Sequence, residues 1–497
     1  MRRFAGPIVT VAAALAAIAA WLPFLRTPLM PDEAGFLTLG EQWGPGKSLY
    51  GDYWVDRPPL LIAIYSAISA FATAGPSPDG AMSPGVRLFG GGIAGLTVLL
   101  AAALARQVAP DSTVARIGAP LLTLALVSSP LLGFPITNGE LLALPFAFAG
   151  LVFLVRALQS PARRGAVALA MAAGAFALAA AMIKQNVVDV FVFALVALIG
   201  LSRRTGAWKR LAAGFLGGSA LALGAIVGFA STRGTSPADL WHAVVVFRYH
   251  ASALIGSNIS DERADRLFLV IEAFFVSGCG VVLVVLAPIV ANAARHHLEP
   301  ARYLAWPTIA MAAWEVIAAG ISGSYWLHYI TGLIPGVVLL VILAAPLARW
   351  RTFVVAGVGL ALAVNAGVWA YRITDPPQSA EDARVSNYLL SRSAPGDRAI
   401  IGFGHPNVLA GTGLRNPYPY IWSLPMRVHD PHLREVRQVL AGPEAPRWFV
   451  VHSDTPLWWN DEASDERDYV KRHYAQRTQL GEWHIFERTT RPRPDAR

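Results

Sequence analysis

Apolar residues dominate the first three quarters of the chain, in runs that are long enough to cross a membrane. Short polar segments separate twelve such runs, and most runs approach the ~20 residues that span a bilayer as a helix. They lie at residues 7–25, 59–74, 86–105, 117–134, 141–155, 166–183, 187–201, 211–230, 267–291, 303–321, 328–347 and 352–370. The pattern predicts a polytopic α-helical membrane protein.

The polar segments between the runs predict the orientation of the chain. Arg2 and Arg3 precede the first run, which has no small-residue cleavage site, so we expect an uncleaved first helix with a cytoplasmic N-terminus. Basic residues mark cytoplasmic loops at 156–164, 203–210, 295–302 and 349–351. The outer side then receives residues 26–58, 134–140, 184–186, 231–266, 322–327 and everything after 371.

The number of crossings must be odd to agree with these loops, and twelve is even. The weakest runs are 59–74, which is short and begins at Pro58-Pro59, and 117–134, which contains Pro120 and Pro130. One of the two either fails to span or folds back within the membrane, where protein contacts must satisfy its backbone. We therefore expect 11 or 13 spans in the cell membrane.

The last 126 residues have a different character. Residues 372–497 hold 17 Lys and Arg and 16 Asp and Glu, about half of all the acids in the chain. Helix-like segments at 381–394, 431–442 and 465–476 alternate with strand-like segments at 398–405, 447–453 and 483–488. The sequence predicts two domains, a transmembrane domain at 1–371 and a small extracytoplasmic α/β domain at 372–497.

Composition excludes several classes of protein. With 55% hydrophobic and 15% charged residues the chain is far less charged than a soluble domain, which has about 25%. No basic cluster with interleaved aromatic residues indicates nucleic-acid binding. The single cysteine, Cys279, excludes an intramolecular disulfide and a cysteine-based zinc site, and its apolar surroundings predict a buried core residue. The 37 Arg against 4 Lys are typical of a GC-rich, bacterial genome.

The first outer loop, residues 26–58, is rich in charged and aromatic residues. Asp32-Glu33 follows the first run, where a carboxylate would meet a lipid head group, although Pro31-Asp32-Glu33 is also typical of a helix N-terminus. Arg57 stands before Pro58-Pro59 at a depth that suits a lipid phosphate. The alternative is an interfacial arginine paired with Asp56.

Two further outer segments each carry one ionisable residue beside apolar sequence. Glu140 opens a long apolar helix, so it is either a functional carboxylate or part of a helix cap. Lys184 lies between two outer helix ends, where it either holds a phosphate or extends outward to the interface.

The remaining outer segments are amphipathic or aromatic. Residues 239–258 predict a helix lying in the interface that presents Arg248 and His250, whereas the charged run 261–266 is typical of a solvated helix face. Tyr325, Trp326, His328 and Tyr329 resemble an aromatic belt, in which a histidine is unusual. Taken together, outward acids and bases near lipid phosphates suit group transfer. The cations would hold the leaving phosphate while a carboxylate takes the proton of an attacking hydroxyl.

The order of these features along residues 1–371 is similar to that of a known superfamily. They are Asp32-Glu33, Arg57-Pro58-Pro59-Leu60, Arg87, Glu140, Lys184, and Tyr325 with His328, Tyr329 and Pro335. The chain resembles the GT-C membrane glycosyltransferases, in the branch that contains the protein O-mannosyltransferases and the lipid A aminoarabinose transferases. The first loop is the specific part of this resemblance.

The resemblance implies an activity and roles for individual residues. Such enzymes move a sugar from a polyprenyl-phosphate donor to an acceptor on the outer membrane face, usually with inversion. Asp32 would be the general base, Glu33 would orient it, and Glu140 would position acceptor or sugar. The donor phosphate would be bound by Arg57, Lys184, Arg248, His328 and Tyr329, with weaker substrate contacts from Tyr53, Asp56 and Tyr325.

The acceptor and the cofactor stay open at this point. A lipid, a glycan or a protein of the cell envelope could accept the sugar, and a protein is disfavoured because the second acidic motif of protein mannosyltransferases is not found. Glu140 stands where many relatives have Asp, and Gln185 follows Lys184 where relatives often have Gly. A divalent metal between carboxylate and phosphate stays an alternative, although no ligand spacing in the sequence argues for it.

Two other classes of protein share a polytopic sequence with scattered charges. A lipid or glycan transporter or flippase would place its charges near the bilayer midplane, where only Glu272 and Glu315 lie in this sequence, and would often show internal repeats. A non-catalytic assembly or export subunit would tolerate replacement of Asp32 and Arg57. The sequence favours the transferase over both.

Overall fold

The structure is a computed structural model that describes residues 2–75, 80–257, 261–376, 380–402, 404–453 and 464–489. The chain divides into two compact units. Unit 1 contains Met1–Leu25, Arg87–Gly228 and Ile255–Pro376, and unit 2 contains Arg26–Val86, Phe229–Leu254 and Pro377–Arg497. Unit 2 therefore groups the first outer loop and part of the predicted interfacial segment with the C-terminal residues. The predicted division at residue 371 stays a prediction.

The first 257 residues are mainly helical. The α-helices are α1 (Arg2–Ala19), α2 (Pro31–Gln42), α3 (Pro59–Ser69), α4 (Pro84–Val108), α5 (Thr113–Val127), α6 (Gly139–Gln159), α7 (Ala166–Ala181), α8 (Asp189–Ser202), α9 (Trp208–Thr232), α10 (Pro237–Trp241) and α11 (Phe247–Ser257). A π-helical turn at His242–Val246 joins α10 to α11. The predicted interfacial helix is confirmed as helical, although residue 258 lies outside the described residues.

The following residues complete the membrane region. The helices are α12 (Asp261–Val276), α13 (Cys279–Arg295), α14 (Ala301–Ile321), α15 (Ile334–Ala344) and α16 (Arg351–Thr374), with a 3₁₀ segment at Leu327–Leu333 before α15. Among the described residues, seven helices are long and apolar enough to cross a membrane, or eight if α12 and α13, bent by 58°, form one span. The protein is a multi-pass membrane protein, and this finding does not confirm a count of 11 or 13.

The shorter apolar helices include both runs that the sequence marked as weak. At about 1.5 Å per residue the 11 residues of α3 reach ~16 Å, about half of the hydrocarbon thickness. Helix α5 has 15 residues and contains Pro120. With 11 residues against 15, α3 is the weaker of the two as a span.

The core of unit 1 is built around α15. Every residue from Ile334 to Ala344 is buried, and α15 packs against α5, α13 and α14, as expected for a helix that is apolar on all sides. Cys279 is fully buried, which confirms its predicted place in the core. Large apolar side chains such as Leu221 and Leu360 point outward, as lipid-facing residues do.

The C-terminal part of unit 2 is a small α/β arrangement. Its elements are α17 (Ala380–Arg392), β1 (Ala399–Ile401), α18 (Pro406–Thr412), α19 (Ser423–His429), α20 (Arg434–Ala441), β2 (Trp448–His452), α21 (Ser464–His473), β3 (Tyr474–Leu480) and β4 (Trp483–Arg488). The sheet has the order β1-β2-β4-β3, in which β1 and β2 are parallel and the other pairs antiparallel. The predicted α/β class is confirmed.

Two predicted elements in this region have wrong boundaries. The helix expected at 465–476 ends at His473, and Tyr474 begins β3, which pairs with β4 with one irregularity between Gln476 and Thr478. Tyr474 and Ala475 are buried against the sheet, and pairing with β4 stabilises the strand from Tyr474 onward. The strand expected at 398–405 ends at Ile401, and Phe403 lies outside the described residues.

Candidate active site

The N-terminus of α2 separates the two acids that the sequence placed together. The Glu33 carboxylate accepts a hydrogen bond from the backbone N–H of Met30 at 3.0 Å and is fully buried. It therefore satisfies one of the donors that a helix start leaves open. The Asp32 carboxylate instead accepts a hydrogen bond from the indole Nε1 of Trp422, at 3.1 Å. The helix-cap alternative thus applies to Glu33, whose role in orienting Asp32 stays a prediction.

A second group in unit 2 joins two arginines through one carboxylate. Arg57 Nη1 lies 2.8 Å from Asp56 Oδ1, and Arg248 Nη2 lies 2.6 Å from Asp56 Oδ2. The sequence offered the pairing of Arg57 with Asp56 as the structural alternative to phosphate binding. The structure shows that pair together with a second arginine, Arg248, on the same carboxylate. The Asp56 carboxylate thus brings two guanidinium groups together, and guanidinium groups are good donors to a phosphate.

Aromatic rings connect this basic group with Asp32. The Arg57 guanidinium lies 6.0 Å from the centroid of the Phe36 ring, and that ring lies 5.6 Å from the Trp422 ring, which donates to Asp32. All of these residues belong to unit 2. A carboxylate and a cationic group therefore lie along one continuous set of contacts.

Tyr53 has a clear structural environment. Its side chain is 3% exposed, and its hydroxyl accepts a hydrogen bond from the backbone N–H of Asn416 at 3.2 Å. Burial raises the pKa of the Tyr53 phenol above its ordinary value near 10, so it stays protonated. A weak role in substrate binding stays a prediction.

Unit 1 gathers a second set of predicted residues. Asn138 caps α6 by accepting the backbone N–H of Leu141 at 2.9 Å, which leaves the Glu140 side chain to pair with Lys184. His328 Nε2 lies 3.6 Å from Glu140 Oε1, and Lys184 Nζ lies 4.6 Å from the centroid of the Tyr329 ring. Asn138 rather than Glu140 therefore supplies the cap, and Lys184 is buried instead of extending outward.

The aromatic segment before α15 is shared between two environments. His328 and Tyr329 join the Glu140 group, whereas Arg263 lies 5.5 Å from the Tyr325 ring and Arg266 lies 5.1 Å from the Trp326 ring. The run 261–266 is therefore more than a solvated helix face, because two of its arginines cover aromatic rings. The predicted role of Tyr325 in substrate binding stays a prediction.

Asp189 and Glu315 form a buried acidic pair that the sequence analysis did not place in a site. In the sequence Glu315 stands out only as a midspan acid, and Asp189 begins α8, which packs against α14. The two side chains lie near each other and are 1% and 2% exposed. An acid at the first position of an apolar helix was the signal available in the sequence.

The described residues contain no group of three His, Cys, Asp or Glu side chains that could hold a metal ion. What each arrangement offers chemically is a carboxylate with a fixed orientation and a cation beside it.

Comparison with solved structures identifies the fold. ArnT from Cupriavidus metallidurans, bound to undecaprenyl phosphate, matches with a TM-score of 0.63 and 14% identity over 98% of both chains. The same protein in the apo state gives 0.62 and 15% identity, over 96% of this chain and 97% of that one. The apo oligosaccharyltransferase of Archaeoglobus fulgidus gives 0.58 and 11%, over 98% of this chain and 75% of that one.

Both neighbours are membrane glycosyltransferases of the GT-C superfamily, and ArnT is a lipid A aminoarabinose transferase. The resemblance found in the sequence is thereby confirmed at the level of the fold. No protein-family model and no curated protein matches the sequence.

Proposed function

We propose that this protein is a glycosyltransferase that uses a polyprenyl-phosphate-linked sugar as donor. The observation that carries the proposal is the likeness to ArnT over 98% of both chains, since that protein was solved with undecaprenyl phosphate. The group of Arg57, Asp56 and Arg248 supports it, because two neighbouring guanidinium groups suit a lipid phosphate.

The proposed reaction is a single displacement. Asp32 removes the proton from an acceptor hydroxyl, and the oxygen attacks the anomeric carbon of the sugar. The bond between that carbon and the phosphate oxygen breaks, and the polyprenyl phosphate leaves with the electron pair. Arg57 and Arg248 neutralise the leaving phosphate, and attack from the opposite face inverts the anomeric carbon.

The group in unit 1 has a different balance of charge and therefore a different proposed role. The Lys184 ammonium is offset by the Glu140 carboxylate, so this pair attracts a phosphate less strongly than Arg57 and Arg248 do. We assign Glu140 to positioning of sugar or acceptor. Lys184, His328 and Tyr329 orient that carboxylate and stay secondary candidates for the donor phosphate.

We further propose a membrane topology in which the short helix α3 does not cross the bilayer. If α3 does not cross, eleven of the twelve apolar runs span the bilayer, which gives a cytoplasmic N-terminus and an extracytoplasmic C-terminal region. Asp32, Arg57 and the C-terminal elements then share the outer compartment, where the acceptor would be a lipid or glycan of the cell envelope.

A transporter or flippase is the second candidate, and the buried pair of Asp189 and Glu315 is the observation that favours it, since such proteins use intramembrane acids. Sugar transfer from labelled donors to membrane acceptors separates the two functions. A transferase forms a labelled product and loses it in Asp32→Asn, whereas a flippase forms none in either chain.

A further inference from the structure

We propose that Trp422 is a positioning residue for the Asp32 carboxylate, through which the C-terminal region contributes to catalysis. This inference rests on the proposed function, in which Asp32 is the base. The Trp422 Nε1 donates to Asp32 Oδ1 at 3.1 Å. An indole N–H is a donor only, so it fixes one carboxylate oxygen without competing for the proton of the acceptor.

The surface of α2 is shaped to admit the Trp422 ring. A Cβ atom at Gly35 would overlap the indole and would lie 3.1 Å from Pro406 Cγ. Glycine is therefore required here by close packing, three residues after Asp32 and on the adjoining turn. The Phe36 ring lies 5.6 Å from the indole on the same turn, and this contact limits how the indole can rotate.

The segment that carries Trp422 is held along the first outer loop at two further points. The backbone N–H of Asn416 donates to the Tyr53 hydroxyl at 3.2 Å, and the backbone N–H of Trp54 donates to the Pro419 carbonyl at 3.0 Å. Residues 416–422 thus contact the first outer loop at Tyr53 and Trp54 and reach Asp32 through Trp422. Anchoring at both ends gives the indole the fixed position that a positioning residue needs.

The segment is also fixed from its own side. Tyr418 is fully buried and its hydroxyl donates to Asp430 Oδ2 at 3.1 Å, while the Asn416 side-chain oxygen accepts the backbone N–H of Tyr418 at 2.9 Å. Asp430 in turn accepts the backbone N–H groups of Glu435 and Val436 at the start of α20. The position of the Asp32 carboxylate is therefore coupled to the fold of residues 416–441.

The test is a comparison of Trp422→Phe with wild type in steady-state sugar transfer. Phenylalanine keeps an aromatic ring against Phe36 but removes the N–H, so kcat is expected to fall about 10- to 100-fold, with the acceptor KM within about twofold. A merely structural role would change folded yield and leave kcat per folded molecule unchanged. Gly35→Ala, which displaces the ring, is expected to lower kcat in the same way.

Trp483→Phe is the matched control. Trp483 Nε1 donates to Asp382 Oδ1 at 3.2 Å, an indole–carboxylate bond of the same kind within the C-terminal elements. This control is expected to keep the wild-type kcat. Wild-type kcat in Trp422→Phe, or equal losses in both variants, would overturn the inference.

The contact is also measurable without a substrate. In ¹⁵N-labelled protein in detergent, the Trp422 indole N–H resonance is assigned by its disappearance in Trp422→Phe. It is expected to shift in Asp32→Asn and to stay in place in Asp52→Asn, which changes an exposed acid of the same loop. If wild type transfers no sugar, the proposed function fails. If the Trp422 resonance does not shift in Asp32→Asn, the positioning contact is overturned, whatever the result of the transfer assay.

Discussion

At the scale of single residues, the structure distributes the predicted acids into separate roles. Glu33 satisfies the start of α2, Asp32 receives an indole N–H, and Asp56 bridges two arginines. These residues lie close together in the sequence, yet each carboxylate has different partners. The chemistry assigned to Asp32 depends on this difference, because its neighbour at position 33 is already used by the helix.

The buried acidic pair leads to a prediction about side-chain chemistry. Both oxygens of Asp189 and one of Glu315 have no hydrogen-bond donor among the described residues. Two acceptor groups bond to each other only when one of them carries a proton. Asp189→Asn supplies the donor by its amide and is expected to keep the wild-type melting temperature in detergent.

Removal of the same side chain has the opposite expected outcome. Asp189→Ala leaves Glu315 buried without this partner, and the free energy of unfolding is expected to fall by about 1–3 kcal/mol. Asp375→Ala, at an exposed acid, serves as the control. Equal melting temperatures for the Asn and Ala variants would show that the pair shares no hydrogen bond.

The predictability of the site from sequence differs from residue to residue. Glu140, Lys184 and His328 were selected because ionisable residues are rare beside apolar runs, and the structure brings them together. Trp422 was not selected, because a tryptophan in a water-facing region has no distinguishing pattern. Its role depends on a contact across 390 residues of sequence, and only the fold reveals such a contact.

At the scale of elements, the packing of α19 onto α11 leads to a prediction about pH. The His429 ring lies against Trp54 at 4.6 Å, stacks on Phe247 at 5.3 Å and on Tyr420 at 5.2 Å. Burial lowers the pKa of His429 below its usual value of 6.5, and the nearby His242 and His250 lower it further. The folded protein therefore binds this proton less readily than the unfolded chain.

The sign of the effect follows from that difference. The contribution of the neutral His429 to the free energy of unfolding is fully present above about pH 6.5. It decreases as the pH falls through that value toward the lower pKa of the folded state. His429→Gln is expected to reduce the fall in melting temperature between about pH 7 and pH 5. The pKa of His473 is also lowered, so the His429→Gln variant should keep a smaller dependence of melting temperature on pH. The control His432→Gln, at an exposed histidine, should keep the full slope, and an unchanged slope in His429→Gln would contradict the account.

Element boundaries show which patterns are informative in this sequence. Every apolar run of the sequence contains a helix, because an apolar backbone in a bilayer has few other ways to satisfy its hydrogen bonds. The predicted helix end at residue 476 was wrong, since a strand whose exposed face is polar, such as Tyr474–Leu480, resembles the end of a polar helix in sequence. Only its partner β4 decides the outcome.

At the scale of the whole molecule, the proposed eleven crossings place the active groups outside the cell. Single cysteines in a Cys279→Ser background test this placement with a membrane-impermeant thiol reagent. Lys47→Cys and Ser391→Cys are expected to react in intact cells, whereas Ala162→Cys should react only after permeabilisation; all three positions are exposed. Reaction of Ala162→Cys in intact cells, or its absence at Lys47→Cys, would contradict the topology.

The likeness to ArnT extends over nearly the whole of both chains at 14% identity. At that identity the likeness is one of fold, which the pattern of apolar runs carries. The sequence predicted the superfamily from the order of a few polar positions along this chain. It could not predict that the first loop and the C-terminal elements form one compact unit, since the contacts that join them are far apart in sequence.

The most direct test of the central claim is sugar transfer from polyprenyl-phosphate donors carrying different radiolabelled sugars. Membranes would contain wild type, Asp32→Asn, or the matched control Asp52→Asn, whose acid is exposed in the same loop. We expect wild type and Asp52→Asn to form a labelled envelope product and release an equal amount of polyprenyl phosphate from at least one donor. Asp32→Asn should lower that rate at least about 100-fold. Equal transfer by wild type and Asp32→Asn, or no transfer by wild type from any donor, would contradict the account.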